Sequence, residues 1–151
     1  MSWQDRFLSL AQHISSWSKD PSTKVGCVLI DQDRRVLSVG YNGLPRGVDD
    51  SDARLGNRSI KHMMIVHAEA NAVAAAARNG VSLSGSTAYV THPCCSQCAA
   101  LLVQAGVTRV VCDGILSERW AESALAALEI FSEASVELVH ARKFEKAGDI
   151  A

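Results

Sequence analysis

Two short segments of this 151-residue chain hold side chains that could carry chemistry. One is His67-Ala68-Glu69. The other is His92-Pro93-Cys94-Cys95-Ser96-Gln97-Cys98. A neutral imidazole and two thiolates supply three zinc ligands and leave a fourth position open to water. That is the pattern of a catalytic site, not of a closed structural one. Cys95 and Cys98 have the two-residue gap that sets both sulfurs on one metal at a helix N-terminus, where the helix dipole and the cation both favour thiolates. Cys94 with Cys98 is the alternative pairing. Glu69 lies two residues past the histidine, an offset that lets it face the same cavity without ligating. Zinc lowers the pKa of water toward neutrality, and a carboxylate there can take a proton as base and return it as acid. A lone His-x-Glu or a lone Cys-x-x-Cys is weak evidence; the two together are not.

The elements needed to position these groups can be read from periodicity. Trp3, Phe7, Leu10, Ile14 and Trp17 recur at helical spacing and predict a helix over 3–18, N-capped by Ser2 and stopped by Asp20-Pro21. Val25 to Ile30 and Val36 to Tyr41 read as strands joined by a polar turn at 31–35. The stretch 42–61 reads as a long functional loop. An alanine-rich helix follows from His67 to Asn79, closed by Gly80. Strands are expected at 87–91, 107–112 and 136–139, and helices at 96–105 and from a Ser117 cap. Two strands followed by alternating helices and strands predict a three-layer α/β/α sandwich with a five-stranded mixed sheet. One domain is expected over 1–140, with a polar tail over 141–151.

Further segments widen the pattern: Ser18-Lys19-Asp20-Pro21-Ser22-Thr23-Lys24-Val25-Gly26, Gly40-Tyr41-Asn42-Gly43-Leu44-Pro45-Arg46-Gly47, Val66-His67-Ala68-Glu69-Ala70-Asn71-Ala72 and Cys98-Ala99-Ala100-Leu101-Leu102. With the His-x-Glu and Pro-Cys-x-x-Cys spacing, they resemble the zinc-dependent cytidine and deoxycytidylate deaminases over about residues 3 to 140. Ser96-Gln97 inside the motif, with Glu118-Arg119-Trp120 later, resembles phage and bacterial deoxycytidylate deaminases. The resemblance implies a cytidine deaminase-like fold and hydrolysis of dCMP to dUMP and ammonia, a hydrolase reaction on the C–N bond of a cyclic amidine that supplies thymidylate synthesis. It implies one Zn2+ per subunit on His67, Cys95 and Cys98, with Glu69 as proton shuttle. It further implies a homo-oligomer, commonly a hexamer, and dCTP or dTTP effectors, accompanied by Mg2+, at Gly40, Tyr41, Asn42 and Gly43. Asn42 is carried over as a nucleotide contact. Cys94 stands where such motifs hold a second proline, and Gly114 to Trp120 replaces a Tyr-His-Asp-Ser-Asp segment of some relatives.

A phosphate wants backbone amides and cations. Ser22, Thr23, Lys24, Arg46, Arg54 and Arg58 are the candidates, and Trp120 is a candidate wall for the base or a core residue. The net charge of −1 provides no basic field for a nucleic-acid partner, which weighs against a tRNA adenosine deaminase. No apolar run reaches the length of a membrane span. Residues 1–17 lack the basic start and apolar centre of a secretory signal, so a cytoplasmic location is expected (host cytoplasm for a phage protein). Five cysteines there read as thiols or metal ligands. Alternative substrates are dCTP, a modified cytosine nucleotide and free cytidine or deoxycytidine. A catalytically silent zinc-binding regulator is the reading from a different class, and the presence of Glu69 weighs against it.

Overall fold

The computed structural model describes residues 1–141; the expected tail from 142 onward lies outside them. The chain opens with α1, Trp3–Ser15. The Ser2 hydroxyl accepts from the Asp5 N–H at 3.1 Å and the Asp5 carboxylate accepts from the Ser2 N–H at 2.9 Å, a reciprocal cap that starts the helix. The helix ends three residues earlier than the apolar spacing predicts. The Ser15 and Ser16 hydroxyls donate to the carbonyls of Gln12 and His13 at 2.7 and 2.6 Å, and such back-bonding competes with continuation. Phe7, Ala11 and Ile14 are buried, whereas Trp3 and Trp17, expected on the same stripe, are 47% and 50% exposed.

Strands β1 (Gly26–Ile30), β2 (Val36–Tyr41), β3 (Thr87–Val90), β4 (Arg109–Cys112) and β5 (Glu137–His140) form one sheet in the order β2-β1-β3-β4-β5. β1 runs antiparallel to β2 and β3, while β3, β4 and β5 are parallel. Parallel neighbours need crossovers, and α5 (Ser96–Gln104) and α6 (Ala121–Glu133) supply them. The expected mixed sheet is therefore present. A single turn of 3₁₀ helix, Glu118–Trp120, precedes α6, and Ser117 makes no side-chain cap there. The stretch 42–61 is not structureless. It contains α2 (Asp52–Gly56) and the start of α3 (Arg58–Met64), capped by the Asn57 side chain on the Ile60 N–H at 3.2 Å. Leu55 is the one buried apolar anchor of α2, too little to give a periodic signal.

The sheet is covered on both faces. Phe7, Ala11 and Ile14 of α1 pack with Val28, Ile30, Tyr89 and Val111 on one side. On the other, Cys27, Leu29, Val90 and Val110 meet side chains of α4 (Ala68–Arg78), α5 and α6. Ala68, Ala72 and Ala76 are fully buried along one stripe of α4. Gly40 sets how closely α4 approaches: a Cβ there would lie 2.2 Å from the Ala68 carbonyl oxygen and 2.4 Å from the Ala72 nitrogen. Both obstacles are backbone, so Gly40→Ala must lift the helix that carries His67 and Glu69. The expected destabilisation is about 1–3 kcal/mol, on the order of 5 °C in Tm, with a loss of metal affinity. A thermal melt within 1 °C of the parent would show that the helix relaxes at no cost.

Candidate active site

His67 is the N-cap residue of α4 and Cys95 the N-cap residue of α5, so the two helix starts converge on one point. A two-residue bridge fixes the entry to α4: Gly43 and Val66 exchange N–H···O bonds of 3.1 and 2.8 Å. The Asn71 amide, one turn into α4, donates to the Tyr41 carbonyl at 2.8 Å. His67 Nδ1 lies 3.4 Å from Cys95 Sγ and 3.5 Å from Cys98 Sγ. The ligand atoms of His67, Cys95 and Cys98 all fall within 4.8 Å of one another. An imidazole and two sulfurs at that separation fit one zinc ion with a position left for water.

The three groups share protons in the way that a ligand set does before a cation replaces them. The Cys95 thiol is drawn down to about 4, first by the Cys98 thiol that donates to it, against the effect of burial, and then by His67. Cys98 is pushed up correspondingly, because its proton is held against Cys95 and its site is buried. His67 is raised chiefly by its hydrogen bond to Cys95. Glu69 is 4% exposed, and burial lifts its carboxyl above the ordinary range, opposed by a backbone N–H and by His67. Cys94 is not in the cluster. It is buried, and its thiol hydrogen-bonds to the Glu69 carboxylate.

A cavity of about 620 Å³ opens beside these groups, lined by His67, Glu69 and Cys95 at one place and by Asp20, Ser22, Thr23, Asn42 and Lys61 at another. Trp120 walls it, edge-on to the His67 ring at 6.1 Å and tilted toward His62 at 6.2 Å. Of the expected substrate contacts, Ser22, Thr23, Asn42 and Trp120 line the cavity; Lys24, Arg46, Arg54 and Arg58 do not. The Lys24 ammonium is used on the Ser18 carbonyl, and Arg54 on the Asp49 carbonyl at 3.0 Å. The side chain of Asn42 is committed within the protein: its amide donates to the Thr23 carbonyl at 2.8 Å and to Asp20 Oδ2 at 3.4 Å, and its oxygen accepts from the Val25 N–H at 2.8 Å. Asn42 thus braces the wall that it lines. Of the four residues expected to hold an effector, Gly40 is packed under α4 and Gly43 is bridged to Val66. Tyr41 is exposed, with its ring 6.0 Å from Trp17.

Sequence reading missed Lys61, Asp20, His62 and His92 as cavity residues. Asp20-Pro21 was legible as a turn, and the structure shows why it matters. Asp20 Oδ1 accepts from the N–H groups of Ser22 and Thr23 at 2.9 and 3.2 Å, folding the segment back into the wall. Burial pushes the Asp20 carboxyl up, but those amides, Lys61 and the Ser22 hydroxyl together hold it below the ordinary carboxylate range.

Residues 1–113 match the family model described as the cytidine and deoxycytidylate deaminase zinc-binding region. Over 140 residues, 90% of the chain, it is 44% identical to an uncharacterized deaminase in the luxG 3′ region of Aliivibrio fischeri, covering 91% of that protein. A probable deoxycytidylate deaminase of Drosophila melanogaster is 38% identical over 130 residues, which span 80% of this chain and 62% of the fly protein. Among solved structures, the dCMP deaminase of cyanophage S-TIM5 in complex with dCMP and dUMP aligns with a TM-score of 0.75 at 24% identity, covering 91% of this chain and 95% of that one. At that identity the likeness is one of fold.

Proposed function

This chain belongs to the cytidine and deoxycytidylate deaminase family, and from that premise we propose that it hydrolyses dCMP to dUMP and ammonia. One observation carries the reading: a buried carboxylate, Glu69, shares a nucleotide-sized cavity with the His67, Cys95 and Cys98 cluster. The relative named a probable deoxycytidylate deaminase supports the choice of dCMP. His67, Cys95 and Cys98 are the residues that would hold one Zn2+. Zinc so bound supplies a hydroxide nucleophile from water near neutral pH.

The remaining steps belong to this chain's own groups. Glu69 accepts one proton of the attacking water and delivers it to N3 of the cytosine as the C4–O bond forms. It then takes the second proton from that oxygen and passes it to the exocyclic amine. The C4–N bond breaks, ammonia leaves, and the base keeps the N3 proton as uracil. Burial among Cys94, Ala68 and the sheet keeps bulk water from competing for those protons. Trp120, whose ring stands edge-on to His67, is the wall we assign to the pyrimidine ring.

Residues 1–140 are read as one catalytic domain in a cytoplasmic homo-oligomer, a hexamer by family resemblance. Among the described residues no helix is long and apolar enough to cross a membrane. Exposed Met63, Ile115, Leu125 and Leu128 offer apolar surface for subunit contacts. Regulation by dCTP or dTTP with Mg2+ rests on the family segment alone, in which Tyr41, Pro45 and Arg46 have exposed side chains.

The decisive assay follows loss of cytosine absorbance with dCMP, dCTP, CMP and deoxycytidine in parallel, on protein purified without chelator. The expected result is the highest kcat/KM for dCMP. A zinc-loaded protein that turns over dCTP at least as well as dCMP overturns the monophosphate assignment, and one that turns over none of the four overturns the substrate class.

A further inference from the structure

Among the described residues, the cavity wall holds two Lys or Arg side chains, Lys61 and Arg119. They differ in kind. Arg119 is exposed, its guanidinium 5.6 Å from the Trp120 ring centroid. Lys61, on α3, is 9% exposed, and its ammonium is held 3.1 Å from Asp20 Oδ1 and 2.7 Å from Ser22 Oγ. An ammonium has three protons to donate. Two are committed to these partners, which leaves one for a ligand in the cavity.

We propose that Lys61 is the residue that reads the 5′-phosphate of the substrate and so separates nucleotides from nucleosides. The inference rests on the deaminase reading above and assigns its phosphate subsite. Asp20 is the anchor of that subsite and not a second ligand contact. Its Oδ1 accepts from the Ser22 N–H, the Thr23 N–H, the Ser22 hydroxyl and Lys61, and its Oδ2 from the Asn42 amide at 3.4 Å, so the carboxylate is held by the wall, and as an anion it repels a phosphate. The ammonium is thereby fixed before the ligand arrives, so little side-chain freedom is lost on binding. In a wall screened from water, a cation with one unused proton favours a phosphate oxygen and is left unsatisfied by a nucleoside, which is the condition for strong discrimination. Lys24 and Arg46, the cations that the sequence pointed to, are outside the cavity.

The test is Lys61→Met, with Ser22→Ala as the gentler variant that removes one partner of the ammonium and leaves the Asp20 pair. Zinc content and Tm are checked for each. The kcat/KM ratio of dCMP over deoxycytidine is expected to fall about 30- to 100-fold in Lys61→Met, the size of one charge-assisted hydrogen bond, and several-fold in Ser22→Ala. A Lys61→Arg variant should recover part of the ratio. An unchanged ratio, or an equal loss on both substrates, would make Lys61 a structural tie between α3 and the 18–24 segment and overturn the proposal; Ser22→Ala decides if Lys61→Met does not fold. Calorimetric binding of dUMP and deoxyuridine to the parent protein separates the two readings. Equal affinities would sink the phosphate subsite even if dCMP is deaminated. A preference for dUMP without any turnover would sink the deaminase reading alone.

Discussion

Glu69→Gln is expected to give a folded protein that retains its zinc and has lost at least about 10³-fold in kcat, the upper range for removal of a general acid–base group. The replacement is isosteric. Its oxygen can still accept a hydrogen bond from the Cys94 thiol that now meets the carboxylate, but an amide cannot take a proton from water and return it to N3. Because Glu69 is 4% exposed and burial already disfavours its charge, neutralising it should not lower Tm. That combination separates chemistry from scaffold: kcat collapses, KM and metal content hold, and the melt stays or rises. The measurement is single-turnover and steady-state deamination of dCMP beside zinc analysis of the same preparation. Activity within tenfold of the parent would move proton transfer to another cavity residue, of which His92 is the nearest in chemistry; its ring is kept neutral by burial.

The two catalytic segments were legible because each depends on short-range spacing at a helix start. His67 and Cys95 are N-cap residues, and Glu69 and Cys98 follow within one turn, so sequence distance translates directly into direction. The mixed five-stranded sheet was legible for a similar reason, since two adjacent strands followed by alternating helices and strands leave few architectures; its order, β2-β1-β3-β4-β5, is a finding of the structure. What escaped reading is held by contacts between distant positions. Lys61 meets Asp20 across 41 residues, and Ser22 across 39, and no periodicity announces such a pair. Gly40 and Asn42 carry a structural role that the family pattern does not announce. Their segment matched a family pattern and was read as ligand-binding, yet Gly40 admits α4 to the sheet and Asn42 ties residues 20–25 to the end of β2. A motif residue can be required for building the cavity as well as for lining it.

Removal of the metal should be the other large effect, and it tests the ligand set independently of any substrate. A site that binds zinc only in the folded state stabilises that state by linkage, about 4 kcal/mol when free metal stands at 1,000 times Kd. For a domain of this size that corresponds to on the order of 10 °C in Tm. Incubation with a strong chelator should therefore lower Tm by that order and abolish deamination, and Zn2+ should restore both where Mg2+ does not, since thiolates and imidazole are poor ligands for magnesium. Cys98→Ala should reproduce the chelated state, with little zinc bound and kcat down at least about 10³-fold. The thiols provide a third readout. Once the metal is gone, Cys95 is half-buried with its pKa held near 4, so it is a thiolate at neutral pH. Cys27 and Cys94 are buried with thiols pushed well up, and Cys112 is raised to about 11. Alkylation read by peptide mass should mark Cys95 first in the chelated protein and be suppressed when zinc is restored. Preferential labelling of Cys94, with zinc protecting it, would show that Cys94 and Cys98 are the paired ligands and that Cys95 is the bystander.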